Sequence, residues 1–194
     1  MLYTTLRFII RYILLIWRRW KIVGRDNLPV SGGVLVVSNH VSNLDPLVVG
    51  CALTRRIHFM AKVELFKIPI LASLIRMLGA FPVNRERSDR KAIRMALEYL
   101  QNGEVVGIFP EGTRSKTGEL QKAQIGAAML AVKSNTPILP VALIGTRGIF
   151  NKVVVKIGEP LYIPELWRSR ASKEQLEALS EQVMKEIERL INNQ

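Results

Sequence analysis

Six short runs of β-branched and aliphatic residues, at 34–38, 57–61, 80–83, 105–109, 138–144 and 153–157, alternate with helical stretches along most of this chain. Parallel strands need a long crossover, and a helix between successive strands supplies one, so this pattern restricts the fold strongly. Residues 20–23 are a weaker seventh strand candidate. Helical patterns fall near 46–53, 70–78, 88–100 and 124–133. The last helix is the plainest: Leu176, Leu179, Val183, Ile187 and Leu190 recur at three- and four-residue steps behind Ser172, a suitable N-cap. The expectation is an α/β fold with a mixed, mostly parallel central sheet covered by helices on both faces. With 194 residues there is room for one such domain, and no repeat or low-complexity linker divides it.

The chain opens with its most apolar window, LYTTLRFIIRYILLIWRRW, after Met1. As a membrane span this window is too short. The run from Leu2 to Trp17 is only 16 residues long, and Arg7 and Arg11 interrupt it, whereas a span needs about 20 nearly uncharged ones. It lacks a small-residue cleavage site, so it does not read as a signal peptide. On a helical wheel Thr4, Arg7, Arg11 and Arg18 share a narrow stripe, and bulky apolar side chains fill the rest. Residues 1–20 are therefore expected to form an amphipathic membrane-association helix, with the arginines toward lipid phosphates and Trp17 and Trp20 at headgroup depth. The alternative is a core-packing helix whose arginine stripe faces water. Residues 21–194 would form the globular domain.

Charge agrees with an anionic partner. The chain carries a formal charge of +12, with 28 Lys and Arg against 16 Asp and Glu. The first 25 residues hold six basic side chains and no acid. Nucleic acid, phospholipid headgroups and an acidic carrier protein all fit such a surplus. Aromatics are only 7% of the chain, and the basic N-terminus is fused to an apolar helix, which argues against nucleic acid. The single Cys51 cannot form an internal disulfide.

Chemistry-bearing residues gather at strand ends. The polar stretch from Ser38 to Pro46 follows the run VLVV and contains His40 and, five residues later, Asp45. A carboxylate holding one imidazole nitrogen leaves the other free to act as a base, which suits deprotonation of a substrate hydroxyl. For this short pattern alone, a helix-capping Asp45 and an ordinary loop histidine remain the alternative. Phe109 to Ser115 follows the run at 105–109 and presents Glu111, Gly112, Thr113 and Arg114, where an arginine suits phosphate and a glutamate suits polyol hydroxyls. Lys62 closes the run at 57–61, and Arg85 follows that at 80–83, ahead of a basic stretch at 87–94. If these strands are parallel, all four groups converge on one edge of the sheet. His58, mid-strand, and Cys51, in an apolar helix, are set aside as structural, a Cys51–His58 thiol-transfer pair being remote. No zinc-type Cys/His cluster, G-x-S-x-G, Walker loop or G-x-G-x-x-G occurs.

N-H-V-S-N-L-D-P, F-P-V-N-R, F-P-E-G-T-R-S and I-L-P-V-A-L-I-G, in this order, resemble the four blocks of the glycerolipid acyltransferases, and most nearly the 1-acylglycerol-3-phosphate acyltransferases. The resemblance spans residues 39–145 and implies specific roles. His40 would deprotonate the sn-2 hydroxyl of lysophosphatidate, and Asp45 would orient it. Arg85, and by analogy Lys62, would hold the phosphate, while Glu111, Gly112, Thr113 and Arg114 would bind the glycerol phosphate. The oxygen would attack the thioester of acyl-carrier protein or acyl-CoA directly, with no metal and no cofactor beyond that donor. The fourth block would shape the donor cleft. Such an enzyme would sit peripherally on the cytoplasmic face of the cell membrane. The same chemistry on glycerol-3-phosphate or another lysolipid is the nearest alternative, and a basic nucleic-acid-binding module is a distant one.

Overall fold

The computed structural model describes residues 2–84, 89–148, 150–167 and 171–193. Chain order gives α1 (Leu2–Arg18), β1 (Lys21–Val23), β2 (Val34–Ser38), α2 (Asp45–Ala52), β3 (Ile57–Lys62), α3 (Pro69–Met77) and β4 (Phe81–Val83). There follow α4 (Arg90–Gln101), β5 (Val105–Ile108), α5 (Gly126–Ser134), β6 (Ile138–Ile144), β7 (Val154–Ile157), α6 (Pro164–Trp167) and α7 (Lys173–Asn192). Among the described residues seven strands form one sheet in the order β1-β7-β6-β2-β5-β3-β4.

Strands β2 to β6 all run the same way. β7 is antiparallel to β6, and β1 runs parallel to β7, so the last two strands on that side are reversed. The mixed, mostly parallel sheet expected from the alternation is what forms. β2 lies near its centre and every residue of VLVVS is buried, as a strand covered on both faces requires. Prolines fall where the ladder permits them. Pro82 is on the edge strand β4, and Pro140 of β6 stands one residue before its pairing with β7 begins.

Both faces carry helices. One core gathers Leu14, Val48, Val49, Cys51 and Ala52 from α1 and α2 with Val34, Val36 and Phe59 of the sheet. The opposite core gathers Ala92, Ala96 and Leu100 of α4, Ala127 and Leu130 of α5, and Leu179, Val183 and Ile187 of α7. α7 starts in a capping box, in which Ser172 accepts from the Gln175 N–H and the Gln175 side chain returns the bond. α4 begins at Arg90, with the Asp89 carboxylate accepting from Lys91 and Ala92. α5 begins at Gly126, two residues later than the pattern suggests, and the Gln124 N–H ahead of it donates to the Pro110 carbonyl.

The N-terminal helix corrects one expectation. Its arginine stripe does not face outward. Arg7 donates to the Thr54 carbonyl (2.9 Å), and Arg11 lies over the buried Trp20 ring (5.9 Å). Arg18 is 3% exposed and donates to the carbonyls of Asn151 (3.0 Å), Gly148 (2.7 Å) and Gly145 (2.7 Å). Together with Ile10 and Leu14 these arginines form the side that packs on the domain. Phe8, Ile9, Tyr12, Ile13, Ile16 and Trp17 point outward and are exposed. The physical reason is that Arg7 and Arg18 find carbonyl acceptors along the domain edge and Arg11 an aromatic face, so the polar stripe is the docking side and the wide apolar arc is left free. Among the described residues no helix is long and apolar enough to cross a membrane.

Arg18→Met should therefore leave three carbonyls without a donor at a buried site, at a cost of about 3 kcal/mol in unfolding free energy. Denaturant titration should detect it, and Arg18→Lys should recover only part, because one ammonium cannot serve all three carbonyls as a planar guanidinium does.

Candidate active site

Because β2, β3, β4 and β5 are parallel, the loops that follow them emerge on one edge, which is where open α/β sheets hold their sites. His40, Lys62 and the segment from Glu111 to Arg114 all lie there. Arg85 and Arg87 fall outside the described residues.

The loop after β2 folds back within one turn. His40 Nδ1 is 2.8 Å from Asp45 Oδ2, and the same oxygen accepts from the N–H groups of Val41 and Ser42 (2.7 Å each). An ionised carboxylate only accepts, so the imidazole proton sits on Nδ1 and the lone pair on Nε2. Asp45 is fully buried and is also the first residue of α2, so it both opens the helix and orients the base. Of the two readings of Asp45, the structure supports the first: its carboxylate binds His40 and the N–H groups of Val41 and Ser42 ahead of the helix, and it does not cap α2, whose N-cap is Leu44.

His40 is held through its backbone as well. Its N–H donates to Glu111 Oε1 (2.8 Å), and its carbonyl accepts from the Ser115 N–H (2.8 Å). Glu111 is 4% exposed, and its second oxygen accepts from the Gln121 N–H (3.3 Å). Burial pushes the Glu111 pKa up, against the pull of the two backbone donors. The carboxylate expected to meet polyol hydroxyls is turned inward and braces the peptide of the base. Gly112 has φ 73°, in the left-handed region that favours glycine, and a Cβ there would also displace the Gln124 side chain, 2.6 Å away. Thr113 and Arg114 are exposed.

One face of the imidazole is closed by rings. His40 stacks on Phe109 (4.0 Å between centroids, 16° between planes), and Phe109 stacks on Phe59 (5.8 Å, 12°). The column fits because residue 107 has no side chain: a Cβ at Gly107 would come within 2.3 Å of the Phe59 ring.

His40, Asn43, Lys62 and Arg114 share the rim of an apolar cleft of about 480 Å³. The cleft follows β3 from Lys62 back to Ile57, about 17 Å at the usual rise per residue. Its far end is lined by Gly50, Cys51, Ile57, Leu78 and Ala80. Arg114 makes no hydrogen bond or ion pair among the described residues, and Lys62 has only an exposed pair with Glu64 at 3.6 Å. Two accessible cations and a histidine nitrogen with a free lone pair therefore face one opening. Asp45, Glu111, Gly112 and Thr113 are not part of the lining; the first two stand behind His40.

Sequence reasoning overlooked Ser115 and Asn39. The Asn39 side chain donates to the Leu143 carbonyl (2.9 Å) and accepts from the Leu143 N–H (2.7 Å), tying the loop to β6. Asparagine next to the base was the signal, since its amide can imitate a strand's peptide group. The residues set aside stay aside. Alternation along β3 puts Ile57 and Phe59 on the cleft side and His58 on the other, stacked on Tyr99 (4.1 Å) with Nε2 2.6 Å from Glu104. Burial lowers the His58 pKa. Cys51 is on the cleft side of the sheet, its thiol pushed up to about 11 by burial, so the two cannot pair.

The family model described as "Acyltransferase" matches residues 19–144. The chain belongs to that family. It is 35% identical over 178 residues to the 1-acyl-sn-glycerol-3-phosphate acyltransferase of Bacillus subtilis, covering 89% of this chain and 88% of the relative. It is 31% identical to the protein of the same name from Borreliella burgdorferi, with 86% and 71% covered. The crystal structure of the 1-acyl-sn-glycerophosphate acyltransferase PlsC from Thermotoga maritima superposes with a TM-score of 0.75 at 31% identity, covering 99% of this acyltransferase and 82% of that chain.

Gly107→Ala should push Phe59 into Phe109 and tilt the base. We expect a loss of about 1–3 kcal/mol in stability. Turnover should fall further than the melting temperature alone explains, as seen by assaying well below the melting transition.

Proposed function

We propose that this acyltransferase moves a fatty acyl group from a thioester to the sn-2 hydroxyl of 1-acylglycerol-3-phosphate, giving phosphatidic acid. The observation that carries the reading is the His40–Asp45 pair at the cationic rim of an apolar cleft. The relatives' names give the acceptor its identity.

Each step uses a group already described. The acceptor phosphate is held by Lys62 and Arg114, with Arg85 as a further expected ligand, so the hydroxyl lies against His40 Nε2. The imidazole takes the hydroxyl proton while the oxygen bonds to the thioester carbonyl carbon. Asp45 offsets the positive charge that develops on the ring. The tetrahedral intermediate collapses, the C–S bond breaks, and the departing thiolate takes the proton from the imidazolium. The base restores itself and no acyl-enzyme forms. Two anchored charges supply position and the histidine supplies proton transfer, a division that gives about 10²–10⁴-fold from the base alone.

The apolar cleft is suited to the acyl chain, which leaves the thioester at the rim beside His40. Acyl-carrier protein and acyl-CoA are both suitable donors. The exposed Arg90, Lys91 and Arg94 of α4 are a docking surface for an acidic carrier, and no cofactor beyond the donor is needed. The outward apolar arc of α1 supports residues 1–20 as a membrane-association arm and residues 21–194 as the catalytic domain. Peripheral attachment to the cytoplasmic face of the cell membrane follows from that reading, since both donors are cytoplasmic.

His40→Ala should lower transfer of radiolabelled acyl groups to lysophosphatidate by about 10²-fold or more, with fold and vesicle binding retained. Near-normal turnover would remove His40 from the mechanism. A panel with glycerol-3-phosphate and other lysolipids tests the acceptor, and Arg114→Ala should raise the acceptor KM.

Gly50 borders the far end of the cleft, and a Cβ there meets nothing within 4 Å. Gly50→Leu should fill that space and cut turnover of the longest donors roughly tenfold while sparing short ones. A donor chain-length series with purified enzyme measures it.

A further inference from the structure

The cleft has a second wall that is as apolar outside as within. The 3-10 turn Val63–Lys67 and α3 leave Leu65, Ile68, Ile70 and Leu74 exposed at 39, 53, 87 and 38%. Ile70 is thus almost wholly uncovered, in a segment that spends an exposed isoleucine where a soluble protein places a polar residue. Leu65 and Leu74 belong to both surfaces, since they also line the cleft. Arg7 and Ile10 line it from α1, so α1 and α3 are its two lips.

Charge around this second surface is predominantly positive. Lys67 closes the 3-10 turn, Arg76 closes α3 and lies over the Phe66 ring (5.4 Å), and Lys62 stands at the rim. Glu64 is the one carboxylate in this segment, and it is paired with Lys62. An apolar centre with a cationic margin matches the profile of an anionic leaflet, with hydrocarbon inward and phosphate at the boundary. α1 presents an apolar surface on the other lip, where Phe8, Ile9, Tyr12 and Ile16 are outward.

We infer that the α3 surface, centred on Ile68 and Ile70, is a second membrane-contact element that enters the same leaflet as the outward arc of α1. The cleft between the two lips then opens into lipid, and a lipid acceptor reaches His40 without crossing water. The inference rests on the proposed function for its substrate, but the contact itself stands on these exposed side chains.

The test uses the full chain and the double variant Ile68→Ser/Ile70→Gln. Neither residue lines the cleft. Residue 68 is the N-cap of α3, where serine is favoured, and residue 70 is an exposed helical position. Flotation with phosphatidylcholine–phosphatidylglycerol vesicles is expected to show roughly tenfold weaker binding for the variant. Acyl transfer to lysophosphatidate held in those vesicles should fall in parallel, while turnover on a water-soluble short-chain lysophosphatidate stays unchanged. Undiminished vesicle binding would overturn the inference. So would a concentration-dependent dimer of the parent protein that the variant abolishes, which would assign the surface to a second copy of the chain. If the parent protein acylates no lysophosphatidate in any form, the functional reading fails, and the flotation arm still decides the membrane contact.

Discussion

Everything at the site depends on how the end of β2 is pinned. This strand lies between β5 and β6, and the residues just past it are tied to both neighbours. Asn39 pairs with Leu143 after the manner of a ladder peptide, and His40 gives its N–H to Glu111 and its carbonyl to Ser115. A base on a loop is only as accurate as the backbone beneath it. Here the backbone of the base has no free hydrogen-bonding group to let it drift. The side chain then needs only Asp45 to set its ring.

The motif residues were legible because their spacing is local and their position at strand ends follows from the alternation of strand and helix. His40 and Asp45 are five residues apart, and the hydrogen bond joins them within one loop. Parallel pairing did the rest, bringing Lys62 and Arg114 to the same edge. What stayed illegible depends on distant partners. The Glu111 carboxylate is turned inward by an N–H 71 positions away, and Arg18 is buried by carbonyls more than 120 positions downstream. Hydrophobic periodicity identifies the two sides of a helix. It does not say which side meets protein.

α1 shows the cost of that ambiguity. In water, a helix with a polar stripe turns the stripe outward and buries the rest. This one does the reverse, because the domain offers main-chain oxygens where Arg7 and Arg18 arrive and an aromatic face where Arg11 does. Under the proposed function a lipid leaflet covers the other side. The absence of acidic residues from the first 25 positions then becomes intelligible: a carboxylate on the docking side would face carbonyl oxygens, and one on the outer side would face hydrocarbon.

The stacked rings beneath His40 carry a kinetic consequence. An imidazole lying flat against Phe109, with Nδ1 committed to Asp45, has one usable nitrogen and one direction in which to use it. Under the proposed mechanism the proton must be collected from the acceptor and delivered to the departing sulfur along that single direction. Both substrates then have to be present together before any bond changes. Under that mechanism the order of events is a ternary complex with sequential kinetics, the acyl group passing directly from sulfur to oxygen.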